Sequence, residues 1–339
     1  MKARTVLLAG ILTAFLGVAA AADTSLSAAD QVAQMKRGVN IVGYDPLWRD
    51  PAKGRFKPRH FKIIKDGGFD TVRINLYGFR QMNDKLELPA SWYAILDGLV
   101  AEALKQKINV ILDEHDYEAC AKGADECRRR VMAFWTQVAE HYKAAPPAVM
   151  FEILNEPNRE MDAAWNALLA DALTLIRKTN PTRNVVIGPA FWNNISWLDK
   201  LELPEKDRHI IVTVHYYLPM RFTHQGARWT PEYATLSDVT WGTPEDLATL
   251  DKDLDTVQAW AKQHDRPILL GEFGAYDKAP MESRVKYTAA VARAAEARGW
   301  AWSYWQFDSD FVAYFIDKDE WNVPIRDALI PAATGTARD

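Results

Sequence analysis

The chain has 339 residues, of which 25% are charged, and a formal net charge of −4. A mildly acidic sequence without basic runs offers no electrostatic footprint for nucleic acid or for an anionic membrane surface. Two cysteines are too few for a disulfide-built scaffold, and a chain of this length can form one large domain, as α/β barrels commonly do.

Met1 to Arg4 is a short basic start, and residues 5–22 are apolar or small, ending in Ala20-Ala21-Ala22. That order is the pattern of a secretory signal peptide, with cleavage expected before Asp23. The apolar core is short for a membrane anchor, and no other stretch is long enough to span a bilayer. The mature chain is therefore expected to be soluble and secreted or periplasmic. In an oxidising compartment Cys120 and Cys127 are expected to pair and pin one loop.

Short apolar runs then alternate with helix-like stretches. Strands are expected at 37–42, 71–76, 109–113, 149–154, 185–187, 210–215, 268–271 and 301–306. They are apolar on both faces, as parallel strands covered by helices should be. Amphipathic helices are expected at 91–106, 126–142, 162–178, 244–264 and 282–298; the fourth opens with Thr243 as cap, Pro244 at its first position and acids in its first turn. Eight strand–crossover units without a linker point to an α/β fold, a single-domain (β/α)8 TIM-type barrel over 23–331, with a signal peptide at 1–22 and a tail at 332–339. A doubly wound open sheet is the alternative, but Gly38-Val39-Asn40 lacks the spacing of a phosphate-binding loop.

In such a barrel the chemistry sits at the C-terminal ends of the strands. Those ends carry Arg73 and Asn75, then Asp113-Glu114-His115, Asn155-Glu156-Pro157, His215-Tyr216-Tyr217, Gly271-Glu272-Phe273-Gly274 and Trp305-Gln306. A lone Glu would be read as a solvated loop carboxylate. Two of them, each ending a buried apolar strand, read as a catalytic pair. The glycines flanking Glu272 allow a tight turn and close approach of a ligand.

The Asn-Glu-Pro run at 155–157, the His215-x-Tyr217 pair and the Gly-Glu-Phe-Gly run at 271–274 resemble the motifs of glycoside hydrolase family 5, the cellulase family. Arg73, His115 and Trp305 fall in matching order, so the likeness runs from about residue 36 to about residue 314. It implies a retaining double displacement with Glu156 as acid/base and Glu272 as nucleophile. It further implies that Arg73 and Tyr217 hold the Glu272 carboxylate and that Asn155 binds the sugar 2-hydroxyl. His115 and His215 would line the site, and Trp305 would be a stacking floor. No cofactor and no metal are implied. The partner would be a β-linked polysaccharide met by a monomer, foremost in endo-β-1,4-glucanase action. Action on β-mannan, xyloglucan or mixed-linkage glucan, and a non-catalytic carbohydrate-binding protein on the same scaffold, are the alternatives.

Outside that set, Trp192 after the fifth strand and Tyr44 and Trp48 after the first are candidates to stack on sugar rings, with Trp229 and Trp241 weaker ones. The long stretch 218–243 is expected to wall one side of the cleft. Asp113-Glu114-His115-Asp116 looks rich in metal ligands, but neighbouring strand residues point to opposite sides, so convergence on one ion is not expected. Glu114 and Asp116 read instead as rim or hydrogen-bonding groups.

Overall fold

Apolar strands that cannot face water on either side are buried by rolling into a cylinder and covering it with helices. The computed structural model describes residues 25–121 and 123–332. Its strands are β1 (Arg37–Ile41), β2 (Thr71–Asn75), β3 (Asn109–Asp113), β4 (Val149–Glu152), β5 (Val185–Ile187), β6 (Ile210–Tyr216), β7 (Ile268–Phe273) and β8 (Ala301–Tyr304). They form one closed parallel barrel in chain order, with β8 pairing back onto β1. The TIM-type architecture expected from the sequence is the one found. The signal-peptide segment 1–22 and nearly all of the tail lie outside the described residues.

Expected and observed strands start at the same residues. β1, β2, β4 and β8 end one or two residues earlier than read, just before Val42, Leu76, Ile153 and Trp305, while β6 and β7 run on to Tyr216 and Phe273. The sequence reading missed the short helices Ala28–Met35, Arg59–Asp66 and Val323–Leu329, and a small hairpin of Tyr314–Phe315 with Glu320–Trp321.

The barrel interior is layered. Its lower layer is apolar: Ile111, Met150, Val186, Ile211, Leu269 and Ala301 pack together. Helix Ala28–Met35 closes that end by inserting Ala28, Val32 and Met35 into the same cluster. Ser27 caps this helix by accepting the Asp30 N–H at 3.1 Å. The layer above is polar and just as buried, with Asn40, Arg73, Asn75, Asp113, Glu152 and Thr213 all at 0–1% exposure. Such a layer persists only if every charge is paired, which sets the conditions for the site above it. Among the described residues no helix is long and apolar enough to cross a membrane.

Candidate active site

Arg73 on β2 is the centre of the polar layer. Its Nε and Nη2 donate to the two oxygens of Glu152 at 2.7 and 2.9 Å, and Nη1 donates to Glu272 at 2.7 Å and to Asn40 at 2.8 Å. Nη2 also reaches Asn155 Oδ1 at 2.7 Å, and Asp113 stands 3.1 Å away. Burial works against the guanidinium charge, but Asp113, Glu152 and Glu272 outweigh it and raise its pKa. An isolated buried charge costs several kcal/mol, so these acceptors are a condition for Arg73 being there at all.

Glu272 is brought to this cation by a defect in the sheet. Val214 pairs with Leu270, but the next pair is His215 with Glu272, so Gly271 is an extra residue in β7. Leu269 faces the interior, whereas Leu270 and Phe273 face the helices. Strict alternation would send Glu272 outward with Leu270; the bulge turns it inward. A side chain at 271 would stand 2.4 Å from Thr213 Oγ1, so only glycine fits. Once inside, Glu272 accepts from Arg73 on Oε1 and from the Tyr217 hydroxyl on Oε2 at 2.9 Å. Burial raises the Tyr217 phenol well above its ordinary range, which keeps it a donor.

Glu156 follows β4 and takes a left-handed backbone, φ 44°, a conformation that L residues avoid without support. The support is local: Asn158 Nδ2 donates to the Glu156 carbonyl at 2.7 Å, and the Trp192 N–H donates to the Pro157 carbonyl at 3.1 Å. Burial raises the Glu156 carboxyl to about 7, partly countered by His115 and Arg73. His215 Nδ1 lies 2.8 Å from Glu156 and 3.6 Å from Glu272. Burial lowers that imidazole to about 4, so it is neutral at neutral pH. Glu156, His215 and Glu272 thus bring one ligand-type atom each within 4.8 Å of one another. One carboxyl is paired with a buried cation and a phenol, while the other meets only a neutral ring. A carboxyl raised by burial thus stands beside one held by a guanidinium and a phenol, an arrangement that can serve acid and nucleophile roles.

The other strand-end residues gather around a cleft of about 500 Å³. Asn155, Glu156, Tyr217, Glu272, His115 and Trp305 line it, while Arg73 and His215 act from beneath. The His115 ring stacks on Trp305 with centroids 5.3 Å apart and planes 9° apart, and its Nδ1 is 2.6 Å from Asp113. Tyr44 and Trp229 stand at the cleft, 53% and 49% exposed. With His224, Trp229 comes from the 218–243 stretch, which does wall one side.

Trp192 is half-buried and is not among the residues lining this cleft. After β5 the chain runs through three left-handed residues, Phe191 (φ 59°), Trp192 (61°) and Asn193 (52°). They bury Asn193, while Phe191 packs edge-on to Trp192 and stacks on Trp197 at 5.2 Å. Trp241 is a core residue against Phe222 and Tyr287. Trp48 borders the cleft, but it packs on Trp92 and donates to the Asn75 carbonyl at 2.8 Å.

The acidic run after β3 divides as alternation requires. Asp113 and His115 point into the barrel, while Glu114 accepts the Gly78 N–H at 3.0 Å and Asp116 accepts the Arg80 N–H at 2.8 Å. Glu114 is fully buried, so of the two readings, rim or hydrogen-bonding group, it is the hydrogen-bonding one. The run does not converge on one ion. Among the described residues the grouping with ligand-like spacing is Glu156, His215 and Glu272, and there the cation paired with the carboxylate is Arg73. Sequence reasoning missed Asn40, Glu152, Tyr77 and Tyr117. The signal for the first two was available: each is a lone polar residue inside an apolar strand.

The family profile described as cellulase (glycosyl hydrolase family 5) matches residues 32–310. The chain belongs to glycosyl hydrolase family 5. Among curated relatives of this family 5 chain, Endoglucanase H of Acetivibrio thermocellus is 29% identical over 322 residues, covering 90% of this chain and 34% of that protein. Endoglucanase 3 of Fibrobacter succinogenes is 25% identical over 334 residues, covering 82% of this chain and 50% of that protein. The family 5 chain therefore spans between a third and a half of these two relatives. Among solved structures, endoglucanase Cel5A of Thermotoga maritima is 36% identical with a TM-score of 0.85, covering 90% of this chain and 100% of that one. The cellulose synthase subunit Z of Clostridioides difficile is 35% identical with a TM-score of 0.82, covering 87% and 99%.

Proposed function

We propose that the protein is a retaining endo-β-1,4-glucanase in which Glu156 is the acid/base and Glu272 the nucleophile. The carrying observation is the spacing of their carboxylate oxygens, within 4.8 Å, in an environment that ties only Glu272 to a cation. Retaining enzymes hold their two carboxyls about 5–5.5 Å apart, whereas inverting ones need room for a water between them.

In the first step the Glu272 oxygen bonds to the anomeric carbon as the glycosidic C–O bond breaks. The leaving oxygen takes the proton of Glu156. The charge of Glu272 disappears in the ester, which makes ionisation of Glu156 easier. In the second step Glu156 takes a proton from water, the water oxygen bonds to the same carbon, and the ester bond breaks. Two displacements return the original configuration. Asn155 would donate to the sugar 2-hydroxyl, a reading supported by its Oδ1 being held by Arg73 while its buried Nδ2 has no hydrogen-bond partner. Trp305 supplies the stacking surface.

Endo action is supported by aromatic residues standing exposed at the cleft, Tyr44 and Trp229, and by relatives named endoglucanases. One Thermotoga maritima structure is of a complex with mannotriose, so β-mannan belongs beside β-glucans in any test. The sulfur atoms of Cys120 and Cys127 are 2.10 Å apart. A closed disulfide, export after cleavage of 1–22 and a monomeric catalytic domain over 23–331 are part of the same proposal. The deciding experiment follows the anomeric configuration of newly released sugar by NMR on carboxymethylcellulose, barley glucan, xyloglucan and mannan. The β-anomer first, with viscosity falling faster than reducing ends rise, is expected on carboxymethylcellulose. The α-anomer first, or inertness on every polymer, would remove the proposal.

A further inference from the structure

We propose that Asn193 is a positioning residue for this reaction: its side-chain amide fixes the single proton of the His215 ring on Nδ1, so that the imidazole donates to Glu156. The inference rests on the acid/base reading of Glu156 and adds a residue that touches neither sugar nor reacting atoms.

Both ring nitrogens of His215 are engaged inside the protein. Nδ1 is 2.8 Å from Glu156 Oε1, and Nε2 is 3.3 Å from Asn193 Nδ2. An amide nitrogen can only donate, so Nε2 must accept, and a neutral imidazole has one N–H left to place. It falls on Nδ1. Protonation of the second nitrogen is opposed by burial, which holds the ring at about 4. The opposite tautomer would turn Nδ1 into a bare acceptor that favours protonated Glu156. The two tautomers therefore pull the acid/base in opposite directions.

The local chain is built to hold this contact. Asn193 is fully buried, the last of the three left-handed residues after β5. That turn is tied down by the Phe191 N–H on Asp162 Oδ1 at 2.9 Å and the Trp192 N–H on the Pro157 carbonyl. Gly188 leaves the space, since a side chain there would stand 2.1 Å from Asn193 Oδ1. The left-handed turn through Phe191 and Trp192 is thus the turn that delivers Asn193 to His215.

When Glu156 gives its proton to the leaving oxygen, it becomes a carboxylate with an N–H already aimed at it. When it takes a proton back from water, that bond weakens, and His215 keeps the same proton throughout. The charged and titratable groups facing the Glu156–His215 pair are Glu272 from β7, Arg73 from β2, Asp113 and His115 from β3 and its end, Tyr217 from the end of β6, and Tyr117. All remain in an Asn193 variant.

The test uses the full protein labelled with ¹⁵N-histidine. The His215 nitrogen shifts are expected to show the proton on Nδ1 in the wild type. Asn193→Ala is expected to lower kcat about tenfold or more, the worth of a hydrogen bond to a charged group. Its basic pH limb should move upward by about half a unit or more, with KM little changed. A wild-type proton on Nε2, or a folded Asn193→Ala enzyme with an unmoved pH profile, would overturn the inference. Should the variant not fold, the wild-type spectrum decides alone. That spectrum needs no substrate, so inertness on every glycan would remove the functional proposal while leaving this one tested.

Discussion

His215 faces Glu272 across the β6–β7 ladder only because the register skips Gly271. The proposed nucleophile therefore depends on a residue with no side chain. Gly271→Ala would push a methyl to 2.4 Å from Thr213 Oγ1 and 3.1 Å from His215 Nε2, both fully buried or nearly so. A displacement of even 1 Å at a reacting group costs about 100-fold. We expect kcat on a soluble β-glucan to fall by at least about that factor. Gly98, exposed in helix Ala90–Lys105 with nothing near its missing side chain, is the contrast. Gly98→Ala should add about 0.5–1 kcal/mol of stability in thermal melts and leave kcat alone.

The fold was legible because barrel strands and helices have different hydrophobic periods, and the polar edge that holds the candidate site was legible because it interrupts the strand pattern. The bulge was not. A register skip is a relation between two strands, and the glycines around Glu272 announce a turn as readily as a bulge. The turn after β5 was hidden for a related reason: the direction of the Trp192 ring is set by a left-handed backbone at Phe191 and Trp192, neither of which is glycine. The ligand-rich look of residues 113–116 dissolved as strand alternation said it should, although the full burial of Glu114 depends on packing against Gly78, far away in sequence.

The raised carboxyl of Glu156 makes a paired prediction about pH. As the proposed acid it must hold a proton, so kcat/KM should fall as pH rises through about 7. The same shift bears on stability. Between its ordinary value of 4.5 and about 7 the folded protein keeps a proton that the unfolded chain has lost, so stability falls as pH rises across that window. Glu156→Gln carries no charge to bury. Its melting temperature should exceed that of the wild type by a few degrees at pH 8 and match it near pH 4, while its activity is lost. Equal melting temperatures at pH 8 would mean that the Glu156 carboxylate is not penalised by burial.

Cys120 and Cys127, both buried, frame the short loop behind helix Tyr117–Cys120. Tyr117 at the start of that helix lines the cleft. A disulfide closing so short a loop contributes about 2–3 kcal/mol by chain-entropy reasoning. The Cys120→Ser/Cys127→Ser protein should melt lower by a corresponding amount and bind substrate less well, with KM raised severalfold and kcat nearly kept. Melting curves with and without reductant, alongside KM on a soluble β-glucan, check both halves. A kcat loss at constant KM would place the effect at the carboxylates instead.

Arg73→Lys tests whether the polar layer needs a guanidinium or only a positive charge. Arg73 serves Glu152 through two parallel bonds and also donates to Glu272, Asn40 and Asn155. An ammonium has three donors at a single point and cannot span these acceptors, so the exchange is not conservative here. Whichever carboxylate the substituted lysine chose, another would be left buried and unpaired, a loss of about 3–5 kcal/mol. Asn155 would also lose the bond that fixes its amide, and with it the proposed contact of Nδ2 with the sugar. We therefore expect a large drop in melting temperature together with a fall in kcat of about 100-fold or more. Adding Glu152→Gln removes one of the competing charges and should recover much of the stability, because the ammonium could then commit to Glu272. It should not recover kcat, since Asn155 would still lack its holder. Recovery of both would mean that charge alone, rather than the fork of Arg73, organises the site.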